Sequence, residues 1–155
     1  MTKRQQFLEI LDSLDIAMFT NLNERGALVS HPMSRNKHEE DDYLWFFTRK
    51  DSEKVEEIKR DPRVNVSFAK GDYLSIAGQA EVVEDIGLKQ KLWTKANEAF
   101  FETTAEDANI VLIKVVMESA EYWKGGNPIA TAFQFVKGII KEEEPDMGEN
   151  EAVDL

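Results

Sequence analysis

Hydrophobic residues recur along the start of the chain at the spacing of an amphipathic helix. Thr2 and Gln5 have the spacing of a capping box, in which each side chain accepts a hydrogen bond from the backbone N–H group of the other residue. The apolar residues that follow fall on one helix face: Phe7, Leu8, Leu11 and Leu14. We therefore predict a helix over residues 2–14 whose apolar face packs against the core.

Beyond residue 14 the apolar residues come in short runs of the kind found in β-strands. Polar turns at 21–26 and 70–72 separate some of these runs, and a longer polar loop at 34–42 is expected to be solvated. Gly78 interrupts the longest run, which predicts a β-bulge. The predicted strands are 16–20, 27–33, 43–48, 63–69, 73–84 and 110–117, with 120–123 continuing the sheet.

Two further stretches have helical patterns. Asp51 and Ser52 are good N-cap residues for a helix that ends at Asp61, because Pro62 follows it. The second stretch, residues 85–102, places large apolar residues among charged ones. Six or seven strands, two or three helices and short connections favour a mainly β fold, an antiparallel β-barrel with flanking helices, over a doubly wound α/β sheet.

Charge is concentrated at the C-terminal end of the sequence. The chain has 155 residues, the length of one domain, and a net charge of −11. Residues 141–155 carry seven carboxylates and one lysine, so they hold −6 of that charge. We divide the chain into a folded domain at 1–140, which includes the N-terminal helix, and an acidic tail at 141–155. The tail is expected to be a solvating extension or, alternatively, a contact to other proteins.

The composition argues against several classes of protein. The negative charge argues against a general nucleic-acid binder, because phosphate backbones are held by clustered Lys and Arg. No apolar run approaches the roughly 20 residues of a membrane helix, and the N-terminus lacks the apolar stretch of a signal peptide, so we expect a cytoplasmic protein. The absence of cysteine excludes disulfides and thiolate chemistry.

Common catalytic and nucleotide-binding motifs are absent from the sequence. His31 and His38 are too few and too poorly spaced for a zinc site, and we expect His38 to be solvated in the polar loop. There is no GxSxG motif for a serine hydrolase. The glycine pair Gly125-Gly126 does not begin a GxGxxG helix. We predict no metal, and a bound nucleotide would need another kind of phosphate site.

The segment from Thr48 to Lys54 offers such a site. A strand ends at Thr48, Ser52 begins a helix, and Lys54 lies in the first turn of that helix. A helix N-terminus has unpaired N–H groups and a positive dipole end, so these side chains and the backbone would converge on one anion. The alternative is that Ser52 only caps the helix and Lys54 is a surface charge.

The order of the motifs along the chain is more informative than any one of them. It runs IAMFT, GALVSHPM, YLWFFT, SEKVEEIKRDPRVNVSF, YLSIAGQAEVVED, KLW and AEYWKGG, from residue 16 to 126. This succession resembles the flavin-binding split barrels related to pyridoxamine 5′-phosphate oxidase, and within them the general stress protein branch. The resemblance implies a six-stranded antiparallel split β-barrel whose homodimer interface holds two molecules of flavin mononucleotide (FMN).

The resemblance also implies the residues around the flavin. Those that would line the ring and ribityl chain come from two strands: His31, Pro32, Met33, Ser34, Phe47 and Thr48. Ser52 and Lys54 match the serine and lysine that bind the phosphate. Trp123 matches an aromatic residue that reaches the flavin of the partner subunit, and Trp93 is a second aromatic candidate, with core or dimer packing as its alternative role.

The sequence departs from the family pattern at several points. His31 stands where the family usually has an arginine, so a fixed positive charge is lost. The segment FFETTAEDAN lacks the Pro-Gly pair that is frequent in this branch. The segment NPIATAFQFVKG lacks the arginine and histidine that bind substrate phosphate in true pyridoxamine phosphate oxidases, so that activity is not predicted.

Two classes of function stay open at this point. The first is an FMN-dependent oxidoreductase or flavin carrier in a stress response, acting on an unspecified small molecule. The second is a dimeric binding or regulatory module of the same fold without tight flavin binding, or with FAD or haem in the same cleft.

Overall fold

A computed structural model describes residues 2–125 and 150–155. These residues form four helices and seven strands. In chain order they are α1 (Lys3–Asp12), β1 (Ile16–Leu22), β2 (Leu28–Ser34), β3 (Leu44–Arg49), α2 (Glu53–Arg60), β4 (Arg63–Lys70), β5 (Asp72–Val83), α3 (Ile86–Leu92), α4 (Lys95–Phe101), β6 (Ile110–Trp123) and β7 (Asn150–Asp154). No helix within this described part has the length and apolar character needed to cross a membrane.

All seven strands belong to one antiparallel sheet. Six of them follow the order β2-β1-β4-β5-β6-β3. The resemblance implied six strands, and the sheet has a seventh, because β7 also pairs with β6. β6 is long, and β3 pairs only with its first six residues, Ile110–Val115. The later part of the same edge of β6, residues 119–123, pairs with β7. The end of the predicted acidic tail is therefore a strand, and Val153 in it is buried.

The sheet is not closed into a barrel by a continuous ladder. Its two terminal strands, β2 and β3, approach each other through a single bridge between Asn36 and Trp45. Asn36 is buried and donates from Nδ2 to Leu92 O (2.9 Å) and to Asn97 Oδ1 (2.7 Å). The loop that follows β2 is therefore anchored to the helical layer, and the prediction that all of it is solvated is wrong.

His38 is a second correction in that loop. Its side chain is only 11% exposed, Nδ1 lies 2.5 Å from Asp41 Oδ2, and its ring packs edge-on against Trp45. Asp41 also accepts a hydrogen bond from Trp45 Nε1 at 3.0 Å. The histidine is thus held by the start of β3, which a polar sequence pattern does not reveal.

Alternation along β3 separates two apolar clusters. Leu44 and Phe46 belong to the main core, which α1 covers on one face of the sheet. Trp45 and Phe47 belong to a second cluster that includes side chains of α3, α4 and β6. Successive strand residues point to opposite faces, so β3 and the first half of β6 are covered on both sides.

Two local features predicted from the sequence, a capping box and a β-bulge, are present in the structure. The capping box between Thr2 and Gln5 is formed at the start of α1. The β5–β6 register shifts between Ala77 and Gly78, which confirms the predicted bulge.

The predicted helical stretch 85–102 is two helices. The first, α3, ends at Leu92, and Trp93 is its C-cap residue. Thr94 caps the second, because its side chain accepts from the N–H group of Asn97 while Asn97 Oδ1 accepts from the N–H group of Thr94. Helix α4 ends at Glu102, whose φ of 55° and ψ of 38° are left-handed.

We expect Glu102→Gly to raise the free energy of unfolding by about 0.5–1 kcal/mol. A side chain in the left-handed region clashes with its own backbone, whereas glycine does not, and glycine is the preferred residue at this helix position. Urea denaturation measures the change. Glu98→Gly, inside the same helix, should instead destabilise by about 1 kcal/mol, and a loss of stability in Glu102→Gly would contradict the prediction.

Candidate functional site

A cavity of about 630 Å³ lies at the end of β3, between the N-terminus of α2, the end of β2 and helix α4. Its lining combines polar groups with apolar and aromatic ones. The lining residues are Ile16, Pro32, Met33, Ser34, Phe47, Thr48, Arg49, Ser52, Lys54, Ala96, Asn97, Phe100 and Phe101.

Two hydroxyl groups meet at one end of this cavity. Strand β3 ends at Arg49 and α2 begins at Glu53, so the tight connection places Thr48 Oγ1 3.4 Å from Ser52 Oγ. Ser52 is the N-cap residue, but its side chain accepts no hydrogen bond from the helix. Apart from its contact with Thr48 Oγ1, the Ser52 hydroxyl is available to a ligand or solvent, which differs from simple capping.

Lys54 supplies a cation beside the hydroxyls. Its side chain is half-buried, and burial lowers the pKa of Lys54 from its ordinary value, an effect that Glu57 partly opposes. Lys54 Nζ lies 6.0 Å from the centroid of the Phe19 ring. Across residues 2–125 and 150–155 no carboxylate forms an ion pair with it. An anion in the cavity would offset the cost of burying this charge.

The backbone at the start of α2 adds donors to the same end. Within the described ranges, the N–H groups of Glu53 and Lys54 have no hydrogen-bond partner. The first N–H groups of a helix lack partners inside the helix, and the helix dipole makes this end positive. Hydroxyls, amides and an ammonium together form a donor set suited to a phosphate group.

The other end of the cavity is apolar and aromatic. Met33, Phe47 and Phe101 are buried, and Phe100 is 78% exposed at the rim. The rings of Phe100 and Phe101 meet edge to face, with centroids 4.9 Å apart. An apolar wall next to a cluster of anion donors suits a ligand with a flat ring system and a phosphate.

Seven of the ten residues singled out from the sequence line this one cavity: Pro32, Met33, Ser34, Phe47, Thr48, Ser52 and Lys54. The other three lie elsewhere. His31 is exposed on β2, where it pairs with Phe19 of β1, and it does not line the cavity.

The two tryptophans have different positions. Trp93 packs edge-on against Phe47, with centroids 4.9 Å apart, and stacks on Phe101 at 5.9 Å, so it lies behind the cavity wall. Trp123 pairs with Tyr73 at the end of β6 and lines a second cavity of about 410 Å³, which shares Ile16 with the first.

The sequence pattern missed the contribution of α4 and of Arg49. Arg49 donates from Nη2 to Phe101 O at 3.0 Å, and its guanidinium lies 5.5 Å from the centroid of that ring. The capping spacing of Thr94 and Asn97 is the one local signal that could have indicated a helix beginning at residue 95. No local signal places that helix on the cavity.

The described residues contain no group of three or more His, Asp or Glu side chains that could hold a metal ion. The donor groups at one end of the cavity and the apolar wall at the other suit an anionic, ring-bearing molecule.

The sequence is similar to a known protein family and to individual proteins. Residues 2–146 match the family described as "Pyridoxamine 5'-phosphate oxidase like". General stress protein 26 of Bacillus subtilis (strain 168) is 26% identical over 138 residues, which are 79% of this chain and 89% of that protein.

Solved structures show the same fold. General stress protein 26 from Bacillus anthracis str. Sterne has a TM-score of 0.71 at 26% identity, over 81% of this chain and 97% of its own. A protein related to general stress protein 26, from Clostridium acetobutylicum, has a TM-score of 0.68 at 23% identity, over 77% of this chain and 87% of its own. The chain therefore belongs to the pyridoxamine 5′-phosphate oxidase-like family, with general stress protein 26 among its relatives.

Proposed function

We propose that this protein binds FMN in the cavity at the end of β3 and serves as a flavin-dependent oxidoreductase or flavin carrier in a stress response. The observation that carries the proposal is the pairing of an anion-binding end, at Thr48, Ser52 and Lys54, with an aromatic end in one cavity of about 630 Å³. The name of the general stress relatives supports the stress context.

The donor set fits a phosphate monoester. Such a group has several acceptor oxygens and up to two negative charges, and the site offers two hydroxyls, two free amide N–H groups and one ammonium without an ion pair within the described ranges. Met33, Phe47 and Phe101 would exclude water from the ring system. A bound flavin supplies hydride and electron transfer, while the protein positions and tunes it.

A homodimer is part of the proposal. Large apolar side chains near the second cavity are exposed: Ile16 by 63%, Met18 by 43% and Tyr73 by 41%. Trp123 lines the same cavity, and Ile16 lines both cavities, so a second copy packed here would approach the flavin site. Such apolar patches on a protein surface mark interaction sites. A cytoplasmic location is proposed with it.

The visible spectrum of the purified protein tests flavin binding. After addition of FMN and gel filtration, we expect the protein to retain absorption bands at about 370 and 450 nm, the bands of oxidised flavin. Absence of these bands after gel filtration with excess FMN would exclude the proposed function.

We expect Lys54→Ala to weaken FMN binding by about 1.5–3 kcal/mol, because a charge-assisted contact to phosphate is lost. A fluorescence titration measures this as roughly a 10- to 150-fold rise in Kd. Lys59→Ala is the control, because Lys59 is exposed on the same helix, outside the cavity lining. Equal affinities in the Lys54 and Lys59 variants would show that the phosphate is not bound at Lys54.

A second candidate is a dimeric binding or regulatory module without tight flavin binding, or with FAD or haem in the cleft. The position of His31 favours it, because His31 lies outside the cavity lining and supplies no fixed charge where the family usually has an arginine. True pyridoxamine phosphate oxidase activity is not proposed, and the segment 127–138, on which that exclusion depends, lies outside the described residues.

A further inference from the structure

Asn97 is the polar side chain that α4 contributes to the cavity lining. Its exposed fraction is 8%, and it lies in the cavity lining next to Ala96 and near Phe100. A buried amide needs partners for both its oxygen and its nitrogen, because an unpaired buried polar group is costly.

The oxygen of this amide already has three donors. Asn97 Oδ1 accepts from the backbone N–H of Thr94 at 3.1 Å, from Thr94 Oγ1 at 2.9 Å and from Asn36 Nδ2 at 2.7 Å. A backbone N–H group can only donate, so the atom that faces it must be the oxygen. The orientation of Asn97 is thereby determined by its surroundings, without a choice between amide flips.

Asn36 holds the same orientation from the other side. Its Nδ2 also donates to Leu92 O at 2.9 Å, and this carbonyl can only accept. Asn36 is itself 5% exposed, so the two amides are buried where the loop after β2 meets the start of α4.

The nitrogen of Asn97 is left without a partner. Within the described ranges, Asn97 Nδ2 makes no hydrogen bond, and it is not among the unpaired side-chain atoms that are sealed from solvent. With the oxygen fully used, the group that Asn97 can offer to the cavity is a pair of N–H donors. The neighbouring wall is apolar, and a single polar donor in such a wall can determine how a ligand is oriented.

We infer that Asn97 recognises the ring end of the ligand, by donating from Nδ2 to a carbonyl or imino acceptor on the ring. The inference rests on the proposed function, because it takes the ligand to be a flavin whose phosphate lies at Lys54. Asn97 and Lys54 then bind opposite ends of one molecule, and each contact can be removed separately.

Asn97→Asp tests this role with little change to the framework. The aspartate keeps an oxygen for Thr94 and Asn36 but replaces the donor with an acceptor. We use riboflavin, which is FMN without the phosphate, as a probe of the ring end alone. The affinity for riboflavin should fall about 10- to 100-fold. FMN affinity should fall at least as far, because the new carboxylate also repels phosphate.

Two controls separate this contact from the phosphate site and from folding. Lys54→Ala should weaken FMN binding and leave riboflavin binding unchanged. Glu98→Gln, the adjacent exposed position of α4, should leave both unchanged. A riboflavin affinity of folded Asn97→Asp within twofold of the unchanged protein would overturn the inference. Failure of the unchanged protein to bind FMN would instead overturn the proposed function itself.

A measurement on the unchanged protein covers the case in which Asn97→Asp does not fold. In a ¹⁵N-labelled sample, addition of FMN should shift the side-chain amide resonances of Asn97 more than those of Asn36, whose Nδ2 already has two acceptors. Unmoved Asn97 resonances at saturating FMN would show that its Nδ2 does not contact the ligand.

Discussion

Gly78→Ala should destabilise the protein by about 3 kcal/mol, a large effect for one added methyl group. A Cβ atom at residue 78 would lie 2.2 Å from Val116 O and 3.1 Å from Val116 C. Both are backbone atoms of β6, so no side-chain rotation relieves the contact. Either the β5–β6 pairing or the bulge at Ala77 and Gly78 must rearrange, and overpacking of this kind is costly.

The same substitution at Gly87 is the matched control. There the added Cβ would lie 3.4 Å from Asp85 Oδ1, an ordinary contact, and Gly87 is inside helix α3. Alanine is the better helix former, so Gly87→Ala should stabilise by about 0.5–1 kcal/mol. Urea denaturation of both variants measures the difference. Similar stability in the two would mean that the β5–β6 bulge yields easily to a side chain.

Lys89→Met should cost about 2–3 kcal/mol, the second large effect. Lys89 is 5% exposed, and Nζ donates to Asp107 O at 2.9 Å and to Ile110 O at 2.8 Å. These bonds connect α3 to the loop that leads into β6. Methionine fills a similar volume but cannot donate, so two charge-assisted hydrogen bonds are lost, partly offset because no ammonium is buried.

Lys91→Met is the control for this change. Lys91 lies on the same helix but is exposed, and its ammonium pairs at the surface with Glu40. Exposed ion pairs contribute about 0–1 kcal/mol, so this variant should stay close to the unchanged protein in thermal and urea unfolding. Equal losses in the two variants would indicate that the buried ammonium of Lys89 contributes no more than a surface charge.

The residues of the candidate site that the sequence could indicate are those close together along the chain. Thr48, Ser52 and Lys54 span seven positions at a strand end and a helix start, so their convergence follows from local geometry. Pro32, Met33, Ser34 and Phe47 entered through the family resemblance, and the fold brings them to the same cavity. That they bind FMN stays a prediction.

The position of Asn97 on α4 could not be predicted from residues close together along the chain. Asn36 and Asn97 are 61 positions apart, and their hydrogen bond exists only because the loop after β2 packs against the start of α4. A polar residue in a polar stretch has no periodic signal that distinguishes burial from solvation. The sequence therefore predicts solvation for the stretch that holds Asn36 and His38, although both side chains are largely buried.

By itself, the sequence determined the local elements: the capping box of Thr2 and Gln5, the bulge at Gly78 and the helix that begins after Ser52. These features depend on side-chain period, caps and backbone freedom, which act over a few residues. Only the tertiary structure decided that β7 pairs with β6, that α3 and α4 cover β3, and that Asn97 lies in the cavity. Those outcomes depend on packing between segments far apart in the chain, where burial of apolar surface outweighs local preference.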